Sequence, residues 1–182
     1  MPNILVLFVH PYPQRSRVNR ALRSAIHGLP NTHIHDLYEE YPDFYVDVQR
    51  EQERLAKHDI IVFQHPVYWY SAPALLKEWQ DVVLEHGWAH GETGKALHGK
   101  YWLQAISAAG TPASYREEGA HVYPITEFLK PFEATAHTCG MIWLPPFITY
   151  DTSSMDNADI EARAARYREH LAVMENFQLA VS

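Results

Sequence analysis

Two apolar runs in this chain end in the same dipeptide: residues 4–9 stop at His10-Pro11, and residues 60–63 stop, after Gln64, at His65-Pro66. The first opens onto Gln14-Arg15-Ser16-Arg17 and then a helical pattern that begins with Val18 and Asn19. A helix start offers free N–H groups and the positive end of the macrodipole, which suit a phosphate. Ser16 and Asn19 can add donors there, and Arg15 or Arg17 can add charge. The same Ser16 could simply cap the helix. The second run opens onto Val67-Tyr68-Trp69-Tyr70, set between Pro66 and Pro73. Three successive aromatics cannot all face one core. They suit a flat ring with an apolar body and a polar edge, or else packing against a helix or a second subunit. A third loop, Ser107-Ala108-Ala109-Gly110, carries nothing bulky and lets a ligand approach the backbone. Beyond it Tyr115 and His121 could donate or shuttle a proton, although ordinary surface polarity would look the same. Together the loops point to a phosphorylated, flat aromatic cofactor such as a flavin, with a proton donor near the charge that a hydride would leave on the ring.

Strand-like and helix-like runs alternate along the chain without a linker. Strands are expected over 3–9, 32–38, 59–64, 101–107 and 141–149, the last broken by Pro145-Pro146 and therefore an edge. A helix follows the first strand, with Val18, Leu22, Ile26 and Leu29 inward and Pro30 as its stop. A charged helix is expected over 47–57. Another starts at Ser71-Ala72-Pro73, with Ser71 as cap and Leu75, Leu76, Trp79, Val82 and Val83 buried. A helix over 124–137 should bend at Pro131, and a long helix over 158–179 closes the chain. Continuously apolar strands alternating with helices imply a parallel sheet covered on both faces. For five strands the common order is 2-1-3-4-5, which gathers the ends of strands one, three and four around one crevice. The expected fold is α/β: a doubly wound three-layer sandwich, with a five-stranded parallel sheet and helices on both faces, forming a single flavin-binding domain over 1–182.

The bulk numbers exclude several classes. A formal net charge of −7 argues against general nucleic-acid binding. No apolar run approaches the ~20 residues of a membrane span, and the first strand begins too early for a signal peptide. Cys139 is alone, so an intramolecular disulfide is excluded and a reducing cytoplasm is the simplest setting. Twelve His residues raise a metal site, through His33 and His35 on one strand face or His86, His90 and His98 in a Gly-rich loop. No H-E-x-x-H or Cys-rich pattern supports one, so no metal is assigned. The first loop is neither G-x-G-x-x-G nor a P-loop, and no G-x-S-x-G elbow appears. A receiver-like domain would need acidic residues at the end of strand one, where this chain has His10.

Several stretches resemble the flavodoxin-like NAD(P)H:quinone oxidoreductase family. Within it the likeness runs to the ancillary subunits of glutathione-gated potassium efflux systems, the KefF and KefG type. These stretches are His35-Asp36-Leu37-Tyr38, Tyr41-Pro42-Asp43-Phe44, Gln64-His65-Pro66-Val67-Tyr68-Trp69-Tyr70-Ser71, Pro73-Ala74-Leu75-Leu76-Lys77-Glu78-Trp79, Leu97-His98-Gly99-Lys100 and Trp143-Leu144-Pro145-Pro146. The resemblance implies flavin phosphate contacts from His10, Ser16, Arg17, Val18 and Asn19. Ring contacts would come from Pro66, Val67, Tyr68, Trp69 and Tyr70, and from Ser107, Ala108, Ala109 and Gly110. Tyr115 and His121 would assist hydride transfer from NAD(P)H. The third loop is Ser-Ala-Ala-Gly where the family usually has Thr-Thr-Gly-Gly. FMN is expected rather than FAD, because no segment is spare for an adenosine. The resemblance further implies a homodimer, a quinone or similar electrophile as acceptor, and docking on the cytoplasmic domain of a potassium efflux transporter. The chain would then be cytoplasmic and peripheral to the inner membrane. A purely regulatory subunit, with flavin in a structural role, is the alternative.

Overall fold

The two runs that end in His-Pro lie side by side at the centre of a parallel sheet in the computed structural model, which describes residues 1–174 and Phe177. Strands β1 (Ile4–Phe8), β2 (Thr32–Asp36), β3 (Ile60–Pro66) and β4 (Tyr101–Ser107) take the order β2-β1-β3-β4. The far edge of β4 pairs with β5 (Ile142–Trp143) and then with β6 (Phe147–Thr149), all in parallel. The order is thus 2-1-3-4-5, with the fifth strand in two pieces. The gap contains Pro145-Pro146, which cannot donate to a ladder and so falls at an edge.

The two-residue alternation of each strand divides the core between two faces. Leu5, Leu7, Ile61, Phe63 and Trp102 meet α3 (Val48–Ala56), α4 (Ala74–Val83) and α5 (Lys130–Thr138). Ile4, Val6, Ile60, Val62 and Leu103 meet α1 (Arg17–Ala25) and α6 (Asn157–Met174). No helix among the described residues is long and apolar enough to cross a membrane.

Local chemistry moves several boundaries. β2 ends at Asp36, two residues before the expected limit. Its carboxylate accepts the Glu39 N–H and caps the short α2 (Leu37–Glu40). Ser71 does not cap α4. It exchanges backbone hydrogen bonds with Tyr68 in a tight turn, and Pro73 begins the helix with no side-chain cap. Pro131 does not bend a helix midway. A 3-10 segment over Ile125–Leu129 comes first, and Pro131 sits in the first turn of α5, where its missing N–H costs nothing. The closing helix is described to Met174. Of the expected span beyond it, 175, 176, 178 and 179 lie outside the described residues.

The charged helix α3 hides one buried charge. Glu51 is fully enclosed, and its carboxylate faces His35 Nε2 at 3.0 Å, Tyr41 Oη at 2.9 Å and Trp79 Nε1 at 2.9 Å. Burial alone would raise its pKa, but the His35, Trp79 and Tyr41 donors outweigh it and hold the carboxyl down at about 2. Burial and the Glu51 charge push the Tyr41 hydroxyl up, so it stays a donor. This network ties β2, α3 and α4 together on one side of the sheet. The side chains of His33 and His35 share that face as expected, but His35 goes to Glu51 and His33 to Arg54.

Candidate active site

β3 and β4 end level with each other, Pro66 opposite Ser107, and β1 stops two residues short of them, Phe8 opposite Gln64. The three loops beyond them are fastened at Ser107. Its carbonyl accepts the Val67 N–H at 2.8 Å, and its hydroxyl accepts from Asn19 Nδ2 at 2.8 Å. Asn19 Nδ2 also donates to Ser16 Oγ at 3.0 Å, and Gln64 Nε2 donates to the Asn19 carbonyl at 3.1 Å. Both amide hydrogens of Asn19 are therefore used, while its Oδ1 is buried without a partner.

Above this network lies a cleft of about 270 Å³. Of the expected residues, His10, Ser16, Asn19, Pro66, Val67, Tyr68, Ser107 and Ala109 line it. Arg17 does not: its guanidinium donates to the Met155 carbonyl and to Asn157 Oδ1, clamping α1 to the start of α6. Val18 is packed in the core beneath α1, and Ala108 is buried on the sheet's other face. For Arg17 and Val18 what remains is the backbone, at the helix turn whose N–H groups lack intrahelical partners. Tyr12, Arg15 and Thr152 complete the lining. Arg15 is the arginine that reaches the cleft. Thr152 comes from the turn after β6, which Asp151 N–H anchors to the Gly110 carbonyl at 2.9 Å.

Ser16 caps and lines at once. Its Oγ accepts the Asn19 N–H at 3.2 Å, leaving its own hydrogen for a ligand. His10 Nδ1 accepts the Tyr12 N–H at 3.0 Å, and burial lowers the ring's pKa. The neutral ring then carries its hydrogen on Nε2, a further donor. Below Pro66, His65 is fully buried, and burial keeps it neutral too. Its Nδ1 lies 2.8 Å from the Pro66 carbonyl and its Nε2 2.7 Å from the Gln104 amide, which packs the start of the aromatic loop on a fixed base.

The aromatic loop stands out from the sheet. Trp69 is 93% exposed, and Trp69 and Tyr70 adopt φ of 46° and 62°. Bulky residues seldom occupy that region, and such strain gathers at functional sites. Tyr115 and His121 stack with ring centroids 4.2 Å apart, and Tyr70 Oη lies 3.4 Å from His121 Nδ1. Gly110 is pressed against this pair: a Cβ there would come within 2.8 Å of His121 Nε2 and 2.5 Å of Ser114 Oγ. Burial raises the Tyr115 pKa, so its hydroxyl remains a donor.

A flavin mononucleotide fits these groups. The α1 start, Ser16, Arg15 and His10 supply donors and charge for a phosphate. The orphaned Asn19 Oδ1 can accept from a polyol hydroxyl, and the Tyr68–Tyr70 shelf beside Gly110 offers a surface for a ring. The cleft is smaller than the ~300–1,000 Å³ of most cofactor sites, so a ring would extend onto the open shelf. Other clusters do different work. His86 and His90 pack edge to face at 5.4 Å, His98 lies apart against Gly140, and no three metal-ligating side chains converge among the described residues.

A parallel sheet of this order, with a cleft at the ends of its three middle strands, defines the flavodoxin-like class. The chain belongs to the family described by that flavodoxin-like fold, which matches residues 2–171. It is 46% identical over 94% of its length, and 93% of the relative's, to the glutathione-regulated potassium-efflux system ancillary protein KefG of Pectobacterium carotovorum subsp. carotovorum. Among solved structures, general stress protein 14 of Treponema denticola in complex with FMN is similar at 37% identity and TM-score 0.91, over 95% of this chain and 99% of that one. An NADPH-quinone reductase from P. pentosaceus is similar at 29% identity and TM-score 0.84, over 92% and 96%.

Proposed function

We propose that this chain is an FMN-dependent NAD(P)H:quinone-type oxidoreductase that also serves as the ancillary subunit of a potassium efflux transporter. The observation that carries the reading is the knot at Ser107, which holds an anion-suited loop, an aromatic shelf and a small-residue loop around one cleft. Likeness to an FMN complex and to an NADPH-quinone reductase supports the cofactor and the reaction class. Likeness to a potassium-efflux ancillary protein supports the partner, and with it a position in the cytoplasm at the membrane.

When bound, the flavin supplies two-electron chemistry, taking a hydride from a nicotinamide and passing the electron pair to a quinone or similar electrophile. The chain's own residues bind and orient. Ser16, Arg15 and His10, with the free N–H groups at the start of α1, would hold the phosphate end, Asn19 would brace Ser16 and Ser107 beneath it, and the backbone of 67–70 and 107–110 would frame the ring. Tyr115 and His121, beside Gly110, would donate hydrogen bonds to the ring and so favour its reduced state. FMN rather than FAD suits a cleft of this size. The ring side of the site is open, and Trp69, Tyr70, Val122 and Tyr123 around it are exposed, so a second copy in a homodimer would close it.

Anaerobic addition of NADPH or NADH to the flavin-loaded protein tests the reading. Bleaching of the flavin absorbance, and its recovery on adding a quinone, is the expected result; a flavin that stays oxidised overturns it. Capture of the transporter's soluble cytoplasmic domain by the flavin-loaded protein tests the partner separately. Retained capture and activation after Tyr115→Phe and His121→Ala would favour the purely regulatory role.

A further inference from the structure

Tyr70 belongs to the aromatic shelf, yet its ring does not stand free as that of Trp69 does. It packs on Phe128 with centroids 4.9 Å apart and meets His121 edge to face at 5.8 Å. The contact leaves the two nitrogens of His121 in different surroundings. Nδ1 lies 3.4 Å from Tyr70 Oη, and Nε2 is turned to Gly110, at the end of the small-residue loop. Tyr115 covers the face of the imidazole, with the two rings 20° from parallel, so the ring is held between two tyrosines. A neutral imidazole carries one hydrogen, and the bond made by one nitrogen decides whether the other has it. A phenol hydroxyl is a stronger donor than an imidazole N–H, and an imidazole nitrogen is a stronger acceptor than a phenolic oxygen. The favoured pairing is therefore Tyr70 donating to Nδ1, which leaves the hydrogen on Nε2.

We propose that Tyr70 is a positioning residue for His121: its hydroxyl fixes the imidazole hydrogen on Nε2 and aims that donor past Gly110. The inference rests on the flavin reading for its use, because the ring framed by 107–110 is what would receive the bond. Tyr70 transfers no proton in this scheme. It selects one tautomer and one ring angle, so the donor is ordered before charge develops on the ring.

The test compares histidine-ring ¹⁵N spectra of the purified parent and Tyr70→Phe, in mildly alkaline buffer and without added flavin. In the parent, His121 should show a hydrogen-bearing Nε2 and an acceptor-type Nδ1. Tyr70→Phe keeps the ring on Phe128 and should shift the Nδ1 signal. A hydrogen on Nδ1 in the parent, or His121 signals unchanged by the substitution, would overturn the proposal whether or not flavin binds. With FMN bound, Tyr70→Phe should slow flavin reduction by about two- to tenfold, the worth of one neutral hydrogen bond, at unchanged half-saturation by NADPH. In a His121→Ala background the same substitution should change nothing, because Tyr70 acts through that ring. Slowing of equal size in both backgrounds would mean that Tyr70 works by packing alone and would overturn the proposal. If NADPH fails to reduce the parent's flavin, the flavin reading falls, and the nitrogen spectra still confirm or overturn the bond.

Discussion

Asn19 and Ser107 stand 88 residues apart in the chain, yet the Asn19 amide donates to the Ser107 hydroxyl across 2.8 Å in a buried setting. That bond joins the anion-suited loop to the small-residue loop, and the Val67 N–H joins the aromatic loop to the same residue. Replacing Asn19 by Ala removes the bond to Ser107 and the bond to Ser16, and takes a side chain out of the cleft lining. FMN affinity should fall by about 1–3 kcal/mol, or roughly 5- to 150-fold. Titration by quenching of flavin fluorescence measures it, and a dissociation constant within twofold of the parent would show that the loops do not depend on this bond.

Ser16→Asp places a carboxylate at the start of α1, where the phosphate is expected. Like charges ~4 Å apart cost on the order of 4 kcal/mol at intermediate dielectric before relaxation. The helix itself tolerates Asp as a cap, so thermal stability without flavin should hardly change while FMN binding is lost. Unchanged affinity would mean that the phosphate lies elsewhere.

Tyr115→Phe and His121→Ala remove donors beside Gly110 without touching Ser16 or Asn19. Reduction of bound flavin by NADPH, followed by stopped flow, should slow by about 10²-fold or more in the double variant. FMN affinity should stay within a few-fold. Parent-like reduction rates in the double variant would take both residues out of the chemistry.

Glu51 gives a prediction about stability rather than turnover. Its carboxyl is held at about 2 in the folded protein, below its ordinary value of 4.5. A depressed folded pKa contributes stability that is present above the unfolded value and lost as pH falls towards the folded one. The contribution should be complete above about pH 5 and decline between there and about pH 2. Glu51→Gln leaves the ring of donors without their charge and should cost about 3–5 kcal/mol at pH 7. Urea unfolding at pH 7 and pH 3 checks both: the gap between parent and variant should narrow at the lower pH. A constant gap would contradict the linkage.

How much of this was legible in the sequence depended on what each residue answers to. The apolar runs of β1 and β3 were readable because both faces of the sheet are covered, so nothing interrupts them. The crevice followed from strand order alone. Ser16 was readable under two interpretations, cap and ligand, and the two prove compatible. Arg15 and Arg17 could not be told apart, because Arg17 is drawn off by the start of α6, 138 residues away at Met155. Thr152 was missed because the split of the last strand into β5 and β6 places a fourth strand end at the cleft. Two signals went unused. Gln64 and Gln104 are polar residues inside strands, and both support the site from below. Glu51 passed as one charge among many in α3, since only the fold brings His35, Tyr41 and Trp79 around it.

The phosphate is the group whose binding defines the cleft most directly. Apoprotein titrated with FMN and, in parallel, with riboflavin isolates that group, because the two ligands share the ring and the polyol. FMN should bind at least a hundredfold more tightly, and Ser16→Asp should erase the difference. Equal affinities for the two ligands, or no quenching by either, would contradict the assignment of the cleft.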